Sequence, residues 1–133
     1  MNKRFALDTN VLIYLEGNDI VKREIAENLL SYLPVISSQV ITEFMNTTRR
    51  LRNISKQQMI DEATALFLGC WIAPIQYSTL TLTSKLIQKY DFQLFDSLIV
   101  ASALEAKCDI LYSEDMQHNL MVDRQLKIVN PFI

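Results

Sequence analysis

Short apolar runs alternate with longer segments of helical periodicity along this chain, and this alternation restricts its fold more than any other feature. Five runs have the length of buried strands, at residues 5–7, 34–37, 71–75, 109–112 and 126–129. Strands interleaved with helices are typical of a parallel sheet that carries helices on both faces. The sequence therefore predicts an α/β protein with a central parallel sheet of about five short strands.

The helices are read mainly from capping residues, because only two glycines and three prolines punctuate the chain. Asp19 caps a predicted helix that runs to about Tyr32, and Ser55 opens one that runs to about Leu68. Further helices are predicted at 11–17, from Ser38 onwards, at 78–90 and at 94–107. The last of these is strongly apolar, so we expect it at the centre of the fold.

The composition is that of a chain with one hydrophobic core. Of its 133 residues, 50% are hydrophobic and 21% are charged, which predicts a single domain over residues 1–133. The longest mainly apolar stretch, residues 65–75, is shorter than the roughly 18 residues of a membrane-spanning helix. Since no secretory segment precedes the first strand, we expect a cytoplasmic protein without a membrane anchor.

Charge and metal-binding side chains argue against two kinds of function. The net charge of −2 disfavours nucleic-acid binding through an overall positive charge, so any such binding must be local. Two cysteines and one histidine cannot form a four-ligand zinc site by themselves.

Four acidic residues lie near junctions between predicted strands and helices. Asp8 follows the first strand, and Glu43 lies in the helix entered from the second. Asp96 opens the helix that leads into the fourth strand, and Asp115 follows that strand. Each acid alone is also explained by turn formation, the helix dipole or solvent exposure. Because ligands of parallel sheets gather beyond the carboxyl ends of the strands, the four acids are nevertheless expected to converge there.

If the four carboxylates converge, a cation is needed to offset their mutual repulsion. Glu43 and Asp96 have apolar sequence neighbours, and an acid buried among apolar groups needs a partner. Ionised groups about 5 Å apart repel each other by roughly 3 kcal/mol per pair at an effective dielectric constant of about 20. Because all the donors are oxygen atoms, Mg²⁺ is the expected ion, with Mn²⁺ as the alternative. Hydrolysis of phosphodiester bonds is a natural use of such an ion.

Four ordered motifs resemble those of a known family. They are Asp-Thr-Asn at 8–10, Ser-Gln-Val-Ile-Thr-Glu-Phe at 38–44, Phe-Asp-Ser-Leu-Ile-Val-Ala at 95–101 and Ser-Glu-Asp at 113–115. The set is similar to the motifs of PIN-domain ribonucleases, especially the VapC-like toxins of type II toxin–antitoxin systems, over residues 5–132. The resemblance implies a three-layer α/β/α fold, metal-dependent endoribonuclease activity and a cognate antitoxin that neutralises the enzyme.

The resemblance also implies roles for individual residues. Asp8 and Asp96 become the principal metal ligands, and Asp115 and Glu43 complete the catalytic pocket directly or through water. Two polar residues, Asn10 and Ser113, would orient these carboxylates.

The only dense basic run contains Arg49, Arg50 and Arg52 at the end of the helix that carries Glu43. These arginines are candidates for binding RNA phosphates. They are equally explained as cations that suit the negative end of a helix dipole, and the two interpretations are compatible.

Two other functions compete with the nuclease. The first is a catalytically silent binding module that keeps the fold and pairs with a regulatory protein. The second, a phosphatase with an aspartate nucleophile, is disfavoured because Asn10 stands where a general acid would be needed. The expected partners are RNA, an antitoxin and a second copy of the chain. Candidates for a dimer interface are Leu30, Leu33 and Phe44, although apolar helix faces more often pack into a core.

Overall fold

A computed structural model describes residues 3–133 and contains one six-stranded sheet. The strands are β1 (Phe5–Leu7), β2 (Val35–Ser37), β3 (Trp71–Ala73), β4 (Ile110–Tyr112), β5 (Met121–Val122) and β6 (Leu126–Val129). Their order across the sheet is β3-β2-β1-β4-β6-β5. Every neighbouring pair is parallel except β5 and β6. The predicted parallel sheet is therefore confirmed.

The sheet has six strands where about five were predicted. The additional strand, β5, has two residues and pairs antiparallel with β6. A hairpin of this kind usually contains glycine or asparagine at its turn. Here Asp123 and Arg124 adopt the left-handed conformation instead, with φ values of 50° and 58°. A two-residue strand before such a turn leaves no recognisable pattern in the sequence.

Within residues 3–133, six α-helices flank the sheet. They are α1 (Thr9–Ile13), α2 (Ile20–Ser31), α3 (Ser38–Arg52), α4 (Lys56–Leu66), α5 (Tyr77–Lys89) and α6 (Leu94–Glu105), with a 3-10 turn at Tyr14–Glu16. Asp19 and Ser55 cap α2 and α4 by accepting backbone hydrogen bonds from Lys22 and Gln58. The helix expected to open at Ser38 is capped by Ser37, whose hydroxyl accepts from Val40 N over 3.1 Å.

Helix α6 lies at the centre of the fold, as its apolar sequence predicted. Seven of its residues are buried, namely Ser97 and 99–104. It packs on α5, β2 and β4, while α3 packs on α1 and α4. Phe44 was a candidate for a dimer interface or for the core, and it lies in the core with 3% of its surface exposed. Leu33 is exposed and Leu30 is half-buried.

The carboxyl ends of the central strands meet at one edge of the sheet. Leu7 of β1 is aligned with Tyr112 of β4, and Asp8 N donates to Tyr112 O over 2.9 Å. Ser113 N continues the ladder to Val129 O of β6 over 3.0 Å. The residues that follow β1 and β4 are therefore held side by side. Between residues 3 and 133, no helix has the length and apolar character needed to cross a membrane.

Candidate active site

Asp8 is the most buried acid at this edge, with 4% of its surface exposed. Its side chain accepts hydrogen bonds from Thr9 N (2.7 Å), Ser113 Oγ (2.8 Å) and Asn10 Nδ2 (3.2 Å). Burial raises the pKa of Asp8 to about 6, and the negative charges of Asp96 and Glu43 add to this effect. The hydrogen bonds from Ser113 and Thr9 act in the opposite direction because they stabilise the ionised form.

Asn10 connects Asp8 with the segment that follows β4. Its Nδ2 lies 3.2 Å from Asp8 Oδ2 and 3.1 Å from Asp115 Oδ2, and its Oδ1 accepts from Glu114 N over 3.0 Å. One amide therefore uses both of its hydrogens and its oxygen to hold two carboxylates and a backbone amide. Asn10 and Ser113 therefore contact the carboxylates that they were predicted to orient.

Glu43 lies on α3, and both of its oxygens are engaged. Oε1 accepts from Thr9 Oγ1 over 2.7 Å, and Oε2 accepts from Gln39 Nε2 over 3.2 Å. Gln39 Nε2 also lies 3.3 Å from Phe95 O, which ties α3 to α6. Sequence reasoning missed Thr9 and Gln39. The available signal was their position, because Thr9 follows Asp8 directly and Gln39 precedes Glu43 by one helical turn.

Asp96 occupies the first turn of α6 and is half-buried. Burial raises its pKa, and the charges of Asp115 and Glu43 raise it further. Within residues 3–133, none of the four carboxylates forms an ion pair with a lysine, arginine or histidine. The mutual repulsion of these groups is therefore not offset by a protein cation.

The four predicted acids line one cavity of about 340 Å³, which we call the acidic cavity. Its walls are formed by Asp8, Thr9, Asn10, Ile13, Glu43, Asn46, Thr47, Asp96 and Asp115. Oxygen and amide groups dominate this lining. The folding of the chain thus brings together the acids of four separate segments.

The donor set fits a hydrated hard cation. In the part of the chain that is described, no three carboxylate, imidazole or thiol groups are close enough to form a ready-made metal cage. Mg²⁺ does not require one, because it keeps several of its water molecules and is usually held by one or two carboxylates. A roomy cavity with four carboxylates and without sulfur or imidazole ligands is suited to such an ion.

Glu114 is turned towards a neighbouring cation. Its Oε2 lies 2.7 Å from Lys22 Nζ, and its Oε1 accepts from Tyr14 Oη over 2.6 Å. These two bonds hold the pKa of Glu114 below its usual range. Lys22 also lies over the rings of Tyr14 and Phe132, at 4.7 and 5.3 Å from their centroids. The network anchors the residue next to Asp115 and was not predicted.

The three arginines of the basic run have different environments, and none lines the acidic cavity. Arg52 pairs with Glu62 at 2.6 Å and with Glu16 at 2.9 Å. Arg49 Nε donates to Ile54 O over 3.2 Å, beyond the end of α3. Arg50 is exposed and makes no side-chain hydrogen bond or ion pair within the described residues. It follows Asn46 and Thr47 by one turn, so it extends the helix face that lines the acidic cavity.

A larger cavity, of about 720 Å³, lies elsewhere. It is lined by residues that include Arg4, Trp71 and Lys107. Its one acid, Glu105, accepts a hydrogen bond from Thr79. No residue predicted to be functional lines this cavity.

Comparison with known proteins identifies the family. Residues 5–121 match the PIN domain. The fold is similar to a chain of a toxin–antitoxin complex from Klebsiella pneumoniae, with a TM-score of 0.70 and 21% identity over 95% of this chain and 96% of that one. It is also similar to Mycobacterium tuberculosis VapC20, a Sarcin-Ricin loop cleaving toxin, with a TM-score of 0.66 and 14% identity over 84% and 89% of the two chains. DNA-bound VapBC from Salmonella typhimurium gives a TM-score of 0.66 and 14% identity over 96% and 97%.

A search of curated protein sequences gives no significant match. The solved structures confirm that the fold is that of VapC-like toxins. The family match spans most of the chain, so the similarity expected from the four sequence motifs is confirmed, and the chain belongs to the PIN domain family.

Proposed function

We propose that this protein is a Mg²⁺-dependent endoribonuclease that hydrolyses RNA phosphodiester bonds as the toxin of a toxin–antitoxin pair. The observation that carries the proposal is the acidic cavity, in which four carboxylates without a protein counter-ion converge in a member of the PIN domain family. One similar protein is described as a toxin that cleaves the Sarcin-Ricin loop, which supports RNA as the substrate. Mn²⁺ is the alternative ion, because it accepts the same oxygen ligands.

Asp8, Asp96 and Asp115 would hold the cation. Ser113 and Asn10 orient the Asp8 carboxylate through hydrogen bonds to its Oδ2, and Asn10 also holds Asp115. Burial raises the pKa of Asp8 to about 6, so the carboxylate is mostly ionised at pH 7, the form in which it can bind a cation. When bound, a divalent cation supplies an activated water molecule and offsets charge on the phosphoryl oxygens.

Glu43 would complete the catalytic set. Thr9 and Gln39 fix its carboxylate at the wall of the acidic cavity, where it can accept a hydrogen bond from the attacking water. The water oxygen would bond to phosphorus as Glu43 takes up the water proton. The bond from phosphorus to the ribose oxygen would break, and the leaving oxygen would take a proton from solvent. Positioning of the water and the phosphate, together with stabilisation of charge, accounts for most catalysis of this type.

The proposed partners follow from the same cavity. One of the similar structures is a toxin–antitoxin complex, which supports an antitoxin for this chain. A cationic segment laid over the acidic cavity would neutralise its charge and block access. We further propose a homodimer of single-domain chains that acts in the cytoplasm, and a contact between Arg50 and RNA phosphate.

A catalytically silent PIN-fold module that pairs with a regulatory protein is the second candidate. The observation in its favour is that the described residues contain no ready-made cage of three metal ligands. Such a module would bind the antitoxin as well as the proposed enzyme does, but it would not cleave RNA at any Mg²⁺ concentration.

Cleavage of structured cellular RNA separates the two candidates. We expect cleavage by the purified protein with Mg²⁺, loss of cleavage in EDTA, and loss in Asp96→Asn. Asp61→Asn, which removes an exposed carboxylate from α4, is the matched control and should cleave as the wild type does. Cleavage that persists in EDTA and in Asp96→Asn contradicts the mechanism. A protein that binds its antitoxin but cleaves no RNA supports the silent module.

A further inference from the structure

A second cavity, of about 380 Å³, adjoins the acidic cavity and shares Asp96 and Asp115 with it. The second cavity extends from these two acids to the segment between α5 and α6 and to the residues after Asp115. Its remaining walls include Tyr90, Phe92 and Gln93 on one side and Gln117 on the other. Anything that extends from the acidic cavity past Asp96 and Asp115 therefore enters this space.

One wall is aromatic and held in place. The rings of Tyr90 and Phe92 stack with centroids 5.5 Å apart and an interplanar angle of 29°. Tyr90 Oη donates to Asp123 Oδ1 over 3.1 Å and accepts from Asp123 N over 2.9 Å. Because its hydroxyl is already engaged, Tyr90 offers its ring rather than a polar group. A fixed aromatic pair of this kind is a platform on which a nucleobase can stack.

Two side-chain amides complete the cavity. Gln93 immediately precedes α6 and lies three residues before Asp96, while Gln117 lies two residues after Asp115. Both side chains are exposed, and neither amide makes a hydrogen bond to any of residues 3–133. Each amide carries donor hydrogens and an acceptor oxygen, which is the combination that recognises the edge of an unpaired base.

The charges of the second cavity favour a neutral ligand. Asp91, Asp96 and Asp115 contribute three carboxylates, whereas Lys89 is the only cation in the lining and is paired with Asp123 at 3.4 Å. Asp96 and Asp115 would be shared with the bound cation, and Lys89 is already paired, so the lining offers a phosphate group no free positive charge. An uncharged base needs none. The neighbouring phosphate would then lie over the acidic cavity, where a cation is expected.

We infer that the second cavity binds the nucleobase adjacent to the phosphodiester that is cleaved in the acidic cavity, and that Gln93 and Gln117 select this base. Selection requires an unpaired base, so the substrate class is single-stranded or looped RNA. The inference rests on the proposed nuclease function for the position of the cleaved bond. Binding of an unpaired base to the cavity does not itself require cleavage.

The first test measures which base is chosen. The wild type, Gln93→Ala and Gln117→Ala are incubated with Mg²⁺ and an RNA pool of randomised sequence, and the cut ends are mapped. We expect a base preference beside the cut that falls about fivefold or more in both variants. Gln88→Ala, an exposed glutamine of α5 outside the cavity, should keep the wild-type preference. A wild type that cleaves RNA without any base preference, or the same preference in every variant, overturns the inference.

The second test measures binding without cleavage. In an Asp8→Asn background, which leaves the second cavity intact, the anisotropy of labelled ten-nucleotide homopolymers of A, C, G and U reports RNA affinity. We expect Gln93→Ala and Gln117→Ala to weaken the preferred homopolymer about fivefold or more, while Gln88→Ala has no effect. Phe92→Leu should weaken all four homopolymers, because stacking tolerates every base.

These measurements separate the failure of the inference from that of the proposed function. If the wild type cleaves no RNA but the glutamine variants still lose affinity in the binding test, the nuclease proposal fails and the base site stands. If affinity for every homopolymer is unchanged by the substitutions, the base site is wrong even when cleavage occurs.

Discussion

Ser113 Oγ donates a 2.8 Å hydrogen bond to Asp8 Oδ2, and this bond joins residues that lie 105 positions apart in the sequence. The contact is possible because Asp8 and Ser113 each follow one of two paired parallel strands, β1 and β4. It stabilises the ionised form of a carboxylate whose pKa is raised by burial. The proposed metal site thus depends on the pairing of these two strands.

Ser113→Ala should weaken Mg²⁺ binding about tenfold, because a group that orients a metal ligand commonly contributes this much affinity. Cleavage at low Mg²⁺ concentration should fall in parallel and should recover at high concentration. Ser102→Ala is the matched control, since it removes a buried serine hydroxyl that bonds only to Leu98 O within α6. Equal Mg²⁺ affinity in the two variants would show that Ser113 does not orient a ligand.

Asp8→Asn should stabilise the protein in the absence of metal ions. The substitution removes a buried charge that lies among other carboxylates, so the melting temperature in EDTA at pH 7 should rise by about 5 °C. A melting temperature equal to or below that of the wild type contradicts this expectation. Asp61→Asn provides the control for removal of an exposed carboxylate.

The increase in stability caused by Asp8→Asn should depend on pH. Asp8 has a folded-state pKa of about 6 against an ordinary value of 3.8, so between these values the folded state binds more protons than the unfolded state. The contribution of Asp8 to stability therefore falls as the pH rises through this window. We expect the free energy of unfolding, measured with urea in EDTA, to rise for Asp8→Asn relative to the wild type from about pH 4 to about pH 7. Above pH 7 the difference should change little. A constant difference across the window would refute the pKa assignment.

Lys22→Met should lower RNA cleavage several-fold with a modest loss of stability. The Lys22–Glu114 pair is partly exposed, and pairs of this kind contribute little to folding. The ion pair also fixes the position of Glu114. It thereby fixes the backbone next to Asp115. Lys85→Met, which alters an exposed lysine of α5, should leave cleavage unchanged. If Lys22→Met cleaves at the wild-type rate, the network has no part in positioning Asp115.

We expect Arg50→Ala to affect RNA binding and Arg52→Ala to affect folding stability. Arg50 has no partner within the described residues, so its loss should reduce the salt dependence of RNA binding by about one phosphate contact. Arg52 pairs with Glu62 and Glu16, so its loss should lower stability while leaving the salt dependence unchanged. RNA affinity measured against salt concentration for both variants checks this, and an effect of Arg52→Ala alone would reverse the assignment.

The location of the acidic residues could be predicted because it depends on chain topology. Asp8 and Asp115 follow parallel strands whose carboxyl ends must share an edge of the sheet, and the sequence shows where those strands end. Asp96 was found for a related reason, since it opens the apolar helix that packs against β2 and β4.

The partners of these acids could not be predicted in the same way. The bond from Thr9 to Glu43 depends on how α1 packs against α3, and the bond from Tyr14 to Glu114 joins residues that are 100 positions apart. Such contacts depend on distances between packed elements rather than on local sequence patterns. The same holds for Arg49, Arg50 and Arg52. They are close in sequence, but each has a different environment in the structure.

The central claim, that folding assembles carboxylates which together hold a divalent cation, is tested most directly by calorimetric titration of Mg²⁺ into the metal-free protein. We expect saturable binding to the wild type and to Asp61→Asn, and loss of that binding in Asp96→Asn, which removes one wall of the acidic cavity. No binding to the wild type, or equal binding to Asp96→Asn, would contradict the account.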